Sequence, residues 1–120
     1  ACFRNAAAHL RPGGHFVIET LVPRLQRLPP GERFIPFDVS DDHVGIDEYD
    51  VANQMSTSHH VYVIDGEVQT VRSPHRWAWP AEYDLMAQLA DMELVERWAG
   101  WDRSPFDADS TSHVSVWRRT

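Results

Sequence analysis

The chain contains no lysine: all 11 basic residues are arginine, 18 acidic residues outnumber them, and the net charge is −7. That balance argues against a nucleic-acid backbone or an anionic membrane as partner, since both require clustered positive charge. A small molecule or another protein is expected instead. The arginine bias itself is assigned to the codon composition of a GC-rich genome before any function. Cys2 is the only cysteine, so an intrachain disulfide is excluded. Nothing resembles a signal peptide, and no apolar run is long enough to cross a bilayer, which gives a cytoplasmic location as the expectation. Linkers rich in Pro, Gly or Ser and periodic repeats are also missing. At 120 residues and 42% hydrophobic content, the expectation is one domain, or part of one, over 1–120. The first residue is not methionine and the first helix has no N-cap residue, which suggests a piece of a longer protein.

What is present begins with FRNAAAHLRPGGHFVIE at 3–19. Phe3, Ala6, Ala7 and Leu10 recur at helical spacing, Pro12, Gly13 and Gly14 stop the helix, and Phe16, Val17 and Ile18 supply a β-rich run. This is the helix-turn-strand unit of a parallel α/β sheet. Four prolines between 23 and 36 then give an irregular excursion. From His43 to Trp79, three β-prone runs read as an antiparallel meander, with Asp65-Gly66 as the turn between the last two. Pro80 and Glu82 open a helix expected to reach Asp91, with Tyr83, Leu85, Met86, Leu89, Ala90 and Met92 on a broad apolar face. Strands over 94–101 and 113–118 follow, with Val114 and Val116 on one side and Ser115 and Trp117 on the other. The polar loop between them is anchored by Pro105 and Phe106.

LRPGGHFVIE at 10–19 resembles the turn leading into the fifth strand of class I S-adenosylmethionine-dependent methyltransferases. WAWPAEYDLMAQLADMELVERWAGWDRSPFDADSTSHVSVWRR at 77–119 is similar to the ending of many bacterial small-molecule members of that family. Those proteins commonly carry glycine in the turn after the helix that a Pro-x-Glu opens, where this chain has Asp91-Met92. The resemblance implies the C-terminal half of a Rossmann-like α/β sheet, with inserted antiparallel strands at about 43–79 and a terminal antiparallel hairpin. It implies S-adenosyl-L-methionine as the cofactor of the parent protein. The glycine-rich turn after a first strand and the acidic residue after a second, which hold that cofactor in the family, have no counterpart here. Gly13-Gly14 precedes a strand and cannot replace them. The 120 residues alone are therefore expected to be inactive. The open sheet would leave apolar surface uncovered, so a homodimer is expected.

Methyl transfer is an in-line displacement that depends on holding nucleophile and methyl in line, helped in some enzymes by one general base. The resemblance places the acceptor beyond the strand end at Glu19 and Thr20. Glu19 is thus one catalytic candidate, against the plainer reading of a carboxylate bonded to a nearby loop. His59 and His60 are adjacent in a strand and project to opposite faces, which rules out joint chelation, and no metal site is expected. His60 is the other catalytic candidate, as a base near neutral pH. His59, Tyr49, Tyr62, Arg76 and Trp79 are candidates for acceptor binding, with Tyr62 on the face of His60. Aromatic packing between strands would explain the tyrosines equally well. Trp77, Trp79, Trp98 and Trp101 crowd one stretch with Arg76, a density expected of a core or an interface. Asp38, Ser40, Asp41, Asp42 and His43 lack the glycine and glutamate of a calcium loop and read as a solvated acidic turn. A non-catalytic ligand-binding or dimerisation module built on the antiparallel strands is the competing reading. A small α+β enzyme with a His/Asp pair in a sheet-lined cavity is a third.

Overall fold

A computed structural model describes every residue from Ala1 to Thr120. The chain divides into two compact units, one formed by Ala1–Pro23 with Ala78–Thr120 and the other by Arg24–Trp77. No helix is long and apolar enough to cross a membrane.

In the first unit, helix α1 (Cys2–His9) stops at Leu10, and the Pro-Gly-Gly turn, with Gly13 at φ 82°, delivers strand β1 (His15–Leu21). The turn's amides close on the chain itself: Gly13 N–H donates to Arg119 O at 2.8 Å and Gly14 N–H to Arg11 O at 2.9 Å. Within these 120 residues β1 has no directly paired parallel neighbour. Instead, β1 pairs antiparallel with the last strand of the chain, Ser112–Arg119, which in turn pairs antiparallel with Met92–Trp98. The first and penultimate of these strands run in the same direction, as a helical crossover between them demands, but the terminal strand is wedged between them.

One face of this sheet carries the core. Phe3, Ala7, Ala87, Ala90, Met92 and Trp117 are buried together, with Leu10, Phe16, Ile18 and Tyr83 packed around them. Phe3 meets Phe16 and Trp117 edge-on, at 5.3 and 5.2 Å between ring centroids. Each large apolar side chain buried here contributes about 1.5–3 kcal/mol. The second helix of this unit, Pro80–Gln88, starts where expected, because Glu82 Oε2 accepts the Trp79 N–H at 2.9 Å, one half of a capping box. It ends three residues before the expected Asp91, which turns the chain at φ 56°. Its apolar face is also narrower than the periodicity indicates. Ala87 and Ala90 are buried, whereas Leu85, Met86 and Leu89 are exposed.

The second unit is a four-stranded antiparallel meander of Phe34–Val39, His43–Asp50, Met55–Ile64 and Glu67–Arg76, in that spatial order. These are numbered β2 to β5, and the two later strands of the first unit are β6 (Met92–Trp98) and β7 (Ser112–Arg119), with α2 the helix Pro80–Gln88. The β-prone runs predict three strands here, and the fourth is β2, which falls partly inside the proline-rich excursion. Pro36 is tolerated since β2 is an edge strand and needs no outward N–H partner. Only a 3₁₀ turn, Leu25–Arg27, interrupts the irregular stretch before it. Asp65 and Gly66 both take positive φ, 52° and 78°, the geometry of a two-residue type I′ hairpin turn. A register shift between Pro36 and Asp38 swings Phe37 over Gly45, where a Cβ would stand 2.3 Å from the ring.

Candidate functional site

In the second unit, the β3–β4 ladder pairs Gly45 with His60 and His43 with Tyr62, so His60, Tyr62 and His43 share one face. His43 Nε2 lies 2.9 Å from His60 Nδ1, and the other nitrogen of His43 is hydrogen-bonded to the Asp38 carboxylate from β2. The Tyr62 hydroxyl is 3.4 Å from His60 Nδ1, and its ring stacks on His43 at 4.5 Å between centroids. Phe37 meets the His60 ring edge-on at 5.4 Å. The stretch from Asp38 to His43, read as a solvated acidic turn, is thus the tip of a hairpin. Ser40 and Asp42 make that turn, and the two residues flanking it become cross-strand neighbours.

His59 projects to the other face, as a regular strand requires, and its Nε2 stands 3.6 Å from Glu48 Oε1 without a hydrogen bond. Tyr49 shares the face of His60 but pairs with Ser56, four ladder positions away. Its ring meets Trp77 at 6.4 Å instead. The grouping of Tyr49 with His60 and Tyr62 is therefore not realised, because both lie on one face but at opposite ends of it. Arg76 is exposed at the end of β5, opposite Met55.

In the first unit, Glu19 and Thr20 point to opposite faces of β1. The Glu19 carboxylate accepts the indole N–H of Trp101 at 2.7 Å, which matches the plainer reading of a strand-end carboxylate tied to a loop. Thr20 faces Tyr83, whose hydroxyl is pushed above its ordinary pKa by burial, an effect opposed by its hydrogen bond to Thr20. Trp79 N-caps α2 through its backbone. None of the four clustered tryptophans is a core residue. Trp101 is 67% exposed, whereas Trp117 has no exposed surface.

Beside Thr20 in the ladder stands His113, which sequence reasoning passed over. His113 is fully buried, and its Nδ1 is 2.7 Å from Ser115 Oγ. Ser115 Oγ also accepts Arg97 Nε–H at 2.8 Å, and Arg97 grips Asp84 with two further bonds at 2.7 and 3.0 Å. Asp84 accepts the Trp117 indole N–H as well, at 3.0 Å. The Ser115 hydroxyl thus joins Arg97 to His113 Nδ1, while His113 Nε2 is buried with no hydrogen-bond partner. Burial, with the Arg97 charge adding to it, lowers the His113 pKa to about 4 against an opposing pull from Asp84. This is a neutral histidine in a structural network. The only sequence signal for it was the alternation His113, Ser115, Trp117 on one side of β7.

No family profile matches the chain. No curated protein matches it either. Solved structures do. The CcbJ methyltransferase from Streptomyces caelestis superimposes with a TM-score of 0.83 at 40% identity, covering 99% of this chain and 49% of that one. An S-adenosylmethionine-dependent methyltransferase from Clostridium acetobutylicum follows with a TM-score of 0.70 at 13% identity, over 98% of this chain and 49% of that one. An amino pentose methyltransferase from Micromonospora echinaspora, involved in calicheamicin biosynthesis, gives 0.60 at 18%, with the same two coverages. The latter two similarities are of fold alone. The chain spans about half the length of each of these proteins. Its fold is that of the class I S-adenosylmethionine-dependent methyltransferases, over about half of their length.

Proposed function

We propose that this chain is the C-terminal portion of an S-adenosylmethionine-dependent methyltransferase acting on a small-molecule acceptor, and that the cofactor is held by residues outside these 120. The observation that carries the reading is the match to a methyltransferase at 40% identity over nearly the whole chain. The element order supports the C-terminal assignment: a helix and Pro-Gly-Gly turn enter β1, an antiparallel sheet intervenes, and α2 leads to the β6–β7 pair.

The residues present do not fit the cofactor. Its methionine and ribose groups need free backbone amides in a glycine-rich turn and a carboxylate at a strand end. The paired glycines of this chain have their amides engaged with Arg119 and Arg11, and Glu19 is engaged with Trp101. What the chain offers instead is acceptor chemistry. His60 presents Nε2 without a hydrogen bond inside the chain, and on this reading it takes the proton from the acceptor heteroatom.

Calorimetric titration with S-adenosylhomocysteine tests the division of labour. The 120-residue chain should give no heat of binding, while the longer protein encoded by the same reading frame should bind and methylate. Micromolar binding by the 120 residues alone would overturn it. A homodimer belongs to the same proposal, because Val61, Val63 and Val68 leave apolar surface exposed on one face of the meander. Sedimentation of a strictly monomeric species at micromolar concentration would remove that part.

A further inference from the structure

The hairpin that carries Asp38 and His43 does more than bring two polar residues to the face of His60. A carboxylate only accepts hydrogen bonds, so the bond between Asp38 and His43 places the His43 proton on Nδ1. His43 Nε2 is then a lone pair. It can engage His60 Nδ1 at 2.9 Å only as an acceptor, which puts the His60 proton on Nδ1 and leaves Nε2 of His60 as a lone pair. Both tautomers follow from one carboxylate two rings away. The rings are also fixed in orientation, since Tyr62 stacks on His43 and lies nearly parallel to His60, with 4° between their planes.

We propose that Asp38 and His43 are positioning residues that hold His60 with its Nε2 lone pair outward, as the proton acceptor for an N–H or O–H group of a small-molecule substrate. The inference rests on the functional reading above and deepens it. When the acceptor's X–H bond breaks, its electron pair stays on the heteroatom and the proton bonds to His60 Nε2. The charge gained by His60 is relieved as its Nδ1 proton shifts toward His43 Nε2, with the His43 Nδ1 proton drawn toward Asp38. The surroundings leave that relay the dominant charge on the face. Asp47 of β3 shares the face but is bonded to Ser58 Oγ at 2.6 Å, and β5 presents only Gln69 and Val71 opposite Tyr62 and His60. Tyr62 is the remaining titratable group in contact. On the opposite face, His59 has only the Glu48 carboxylate 3.6 Å from its Nε2, a nitrogen that makes no hydrogen bond, and no second ring behind it.

The test is long-range ¹⁵N–¹H correlation of the histidine rings in the 120-residue chain, which does not depend on methyl transfer. The expected result is a single Nδ1–H tautomer for both His43 and His60 at pH 8. In Asp38→Asn both rings should relax toward the Nε2–H form that an unconstrained histidine side chain favours, while His59 stays unchanged. Asp38 is half-exposed on an edge strand, so this variant should fold. His43→Phe keeps the ring stack on Tyr62 and removes the relay, and His60 alone should then relax. Carbethoxylation of His60 should slow by about threefold or more in either variant. A His60 tautomer that is mixed in the parent chain, or unmoved by both substitutions, would overturn the proposal. In the longer protein, Asp38→Asn should lower kcat about 10-fold or more with KM unchanged, a loss within the range of one general base. An unchanged kcat would also overturn it. The expected tautomers together with no methyl transfer by the unsubstituted longer protein would refute the functional reading and leave the relay standing.

Discussion

The two units solve the burial problem in opposite ways. The first covers one face of a three-stranded sheet with two helices and gains a core of Phe3, Ala87, Met92 and Trp117. The second is a bare four-stranded meander in which Ile35 is the only large hydrophobic residue that is buried. Polar groups accordingly have different fates. In the first unit the histidine that faces inward is fully buried, with Nδ1 bonded to Ser115, Nε2 sealed from solvent without a partner, and its charged form disfavoured by burial. In the second, the histidines on the sheet face stay half-buried and bonded to one another, with a nitrogen left over. Chemistry that needs to reach solvent has somewhere to stand only in the second.

Removing the centre of the first unit should produce the largest effect. Trp117→Ala deletes a side chain with no exposed surface, its packing against three aromatic rings, Phe3, Phe16 and Tyr83, and the donor to Asp84. A loss of about 3–5 kcal/mol is expected, read from urea unfolding, and it should fall on the first unit. A loss below 1 kcal/mol would mean that the core of the first unit is no better packed than the meander, and the contrast would fail.

Acid should come next and should also act on the first unit. His113 is pulled from its ordinary value near 6.5 down to about 4, so the unfolded chain binds the proton more readily than the folded one. Its contribution is fully present above pH 6.5 and is lost as the pH falls from there to about 4. The total is on the order of 3 kcal/mol. His113→Gln should flatten that part of the stability curve measured by denaturant titration at successive pH values. An unchanged slope would show that the ring is not the group being protonated.

Within the meander a comparable insult should be absorbed. A methyl at Gly45 would stand 2.3 Å from the end of the Phe37 ring, but that ring is 37% exposed on an edge strand and can swing away. Gly45→Ala should therefore cost only about 1 kcal/mol, roughly the worth of the lost edge-to-face pair with His60. The His60 ring proton shifts should move in the same variant. A cost above 3 kcal/mol would mean that the meander is as tightly packed as the other unit.

The legibility of the sequence follows the same line. Local signals were readable: the Pro-Gly-Gly stop, the Asp65-Gly66 turn, the Pro80 and Glu82 helix start, and the opposite faces of His59 and His60. What escaped was set by distance along the chain or by a local signal of the wrong sign. Asp84, Arg97, Ser115 and Trp117 meet across separations that no periodicity encodes. Strand β2 was hidden by Pro36, which argues against a strand unless the strand is known to be an edge. The carboxylate behind His60 lay in plain view as Asp38, yet only the hairpin register turns Asp38 and His43, five residues apart, into partners.

The smallest effect tests a place where chemistry and conformation disagree. Gly13 turns the chain after α1 at φ 82°, which glycine adopts freely, whereas Asp91 turns it after α2 at φ 56°, where a Cβ crowds the backbone. Aspartate is one of the side chains that tolerates this region best, so the strain is modest. The turn is held by backbone groups that no substitution at 91 removes: the Asp91 carbonyl accepts both the N–H of Thr120 at 3.0 Å and its hydroxyl at 2.9 Å. Asp91→Gly relieves a left-handed residue at about 1 kcal/mol and returns part of that as unfolded-state entropy. A net gain of about 0.5 kcal/mol is expected by thermal unfolding, confined to the unit that owns a core to be sharpened. A net loss would show that the side chain at 91 contributes more than its backbone costs, and that the turn after α2 is not interchangeable with the one after α1.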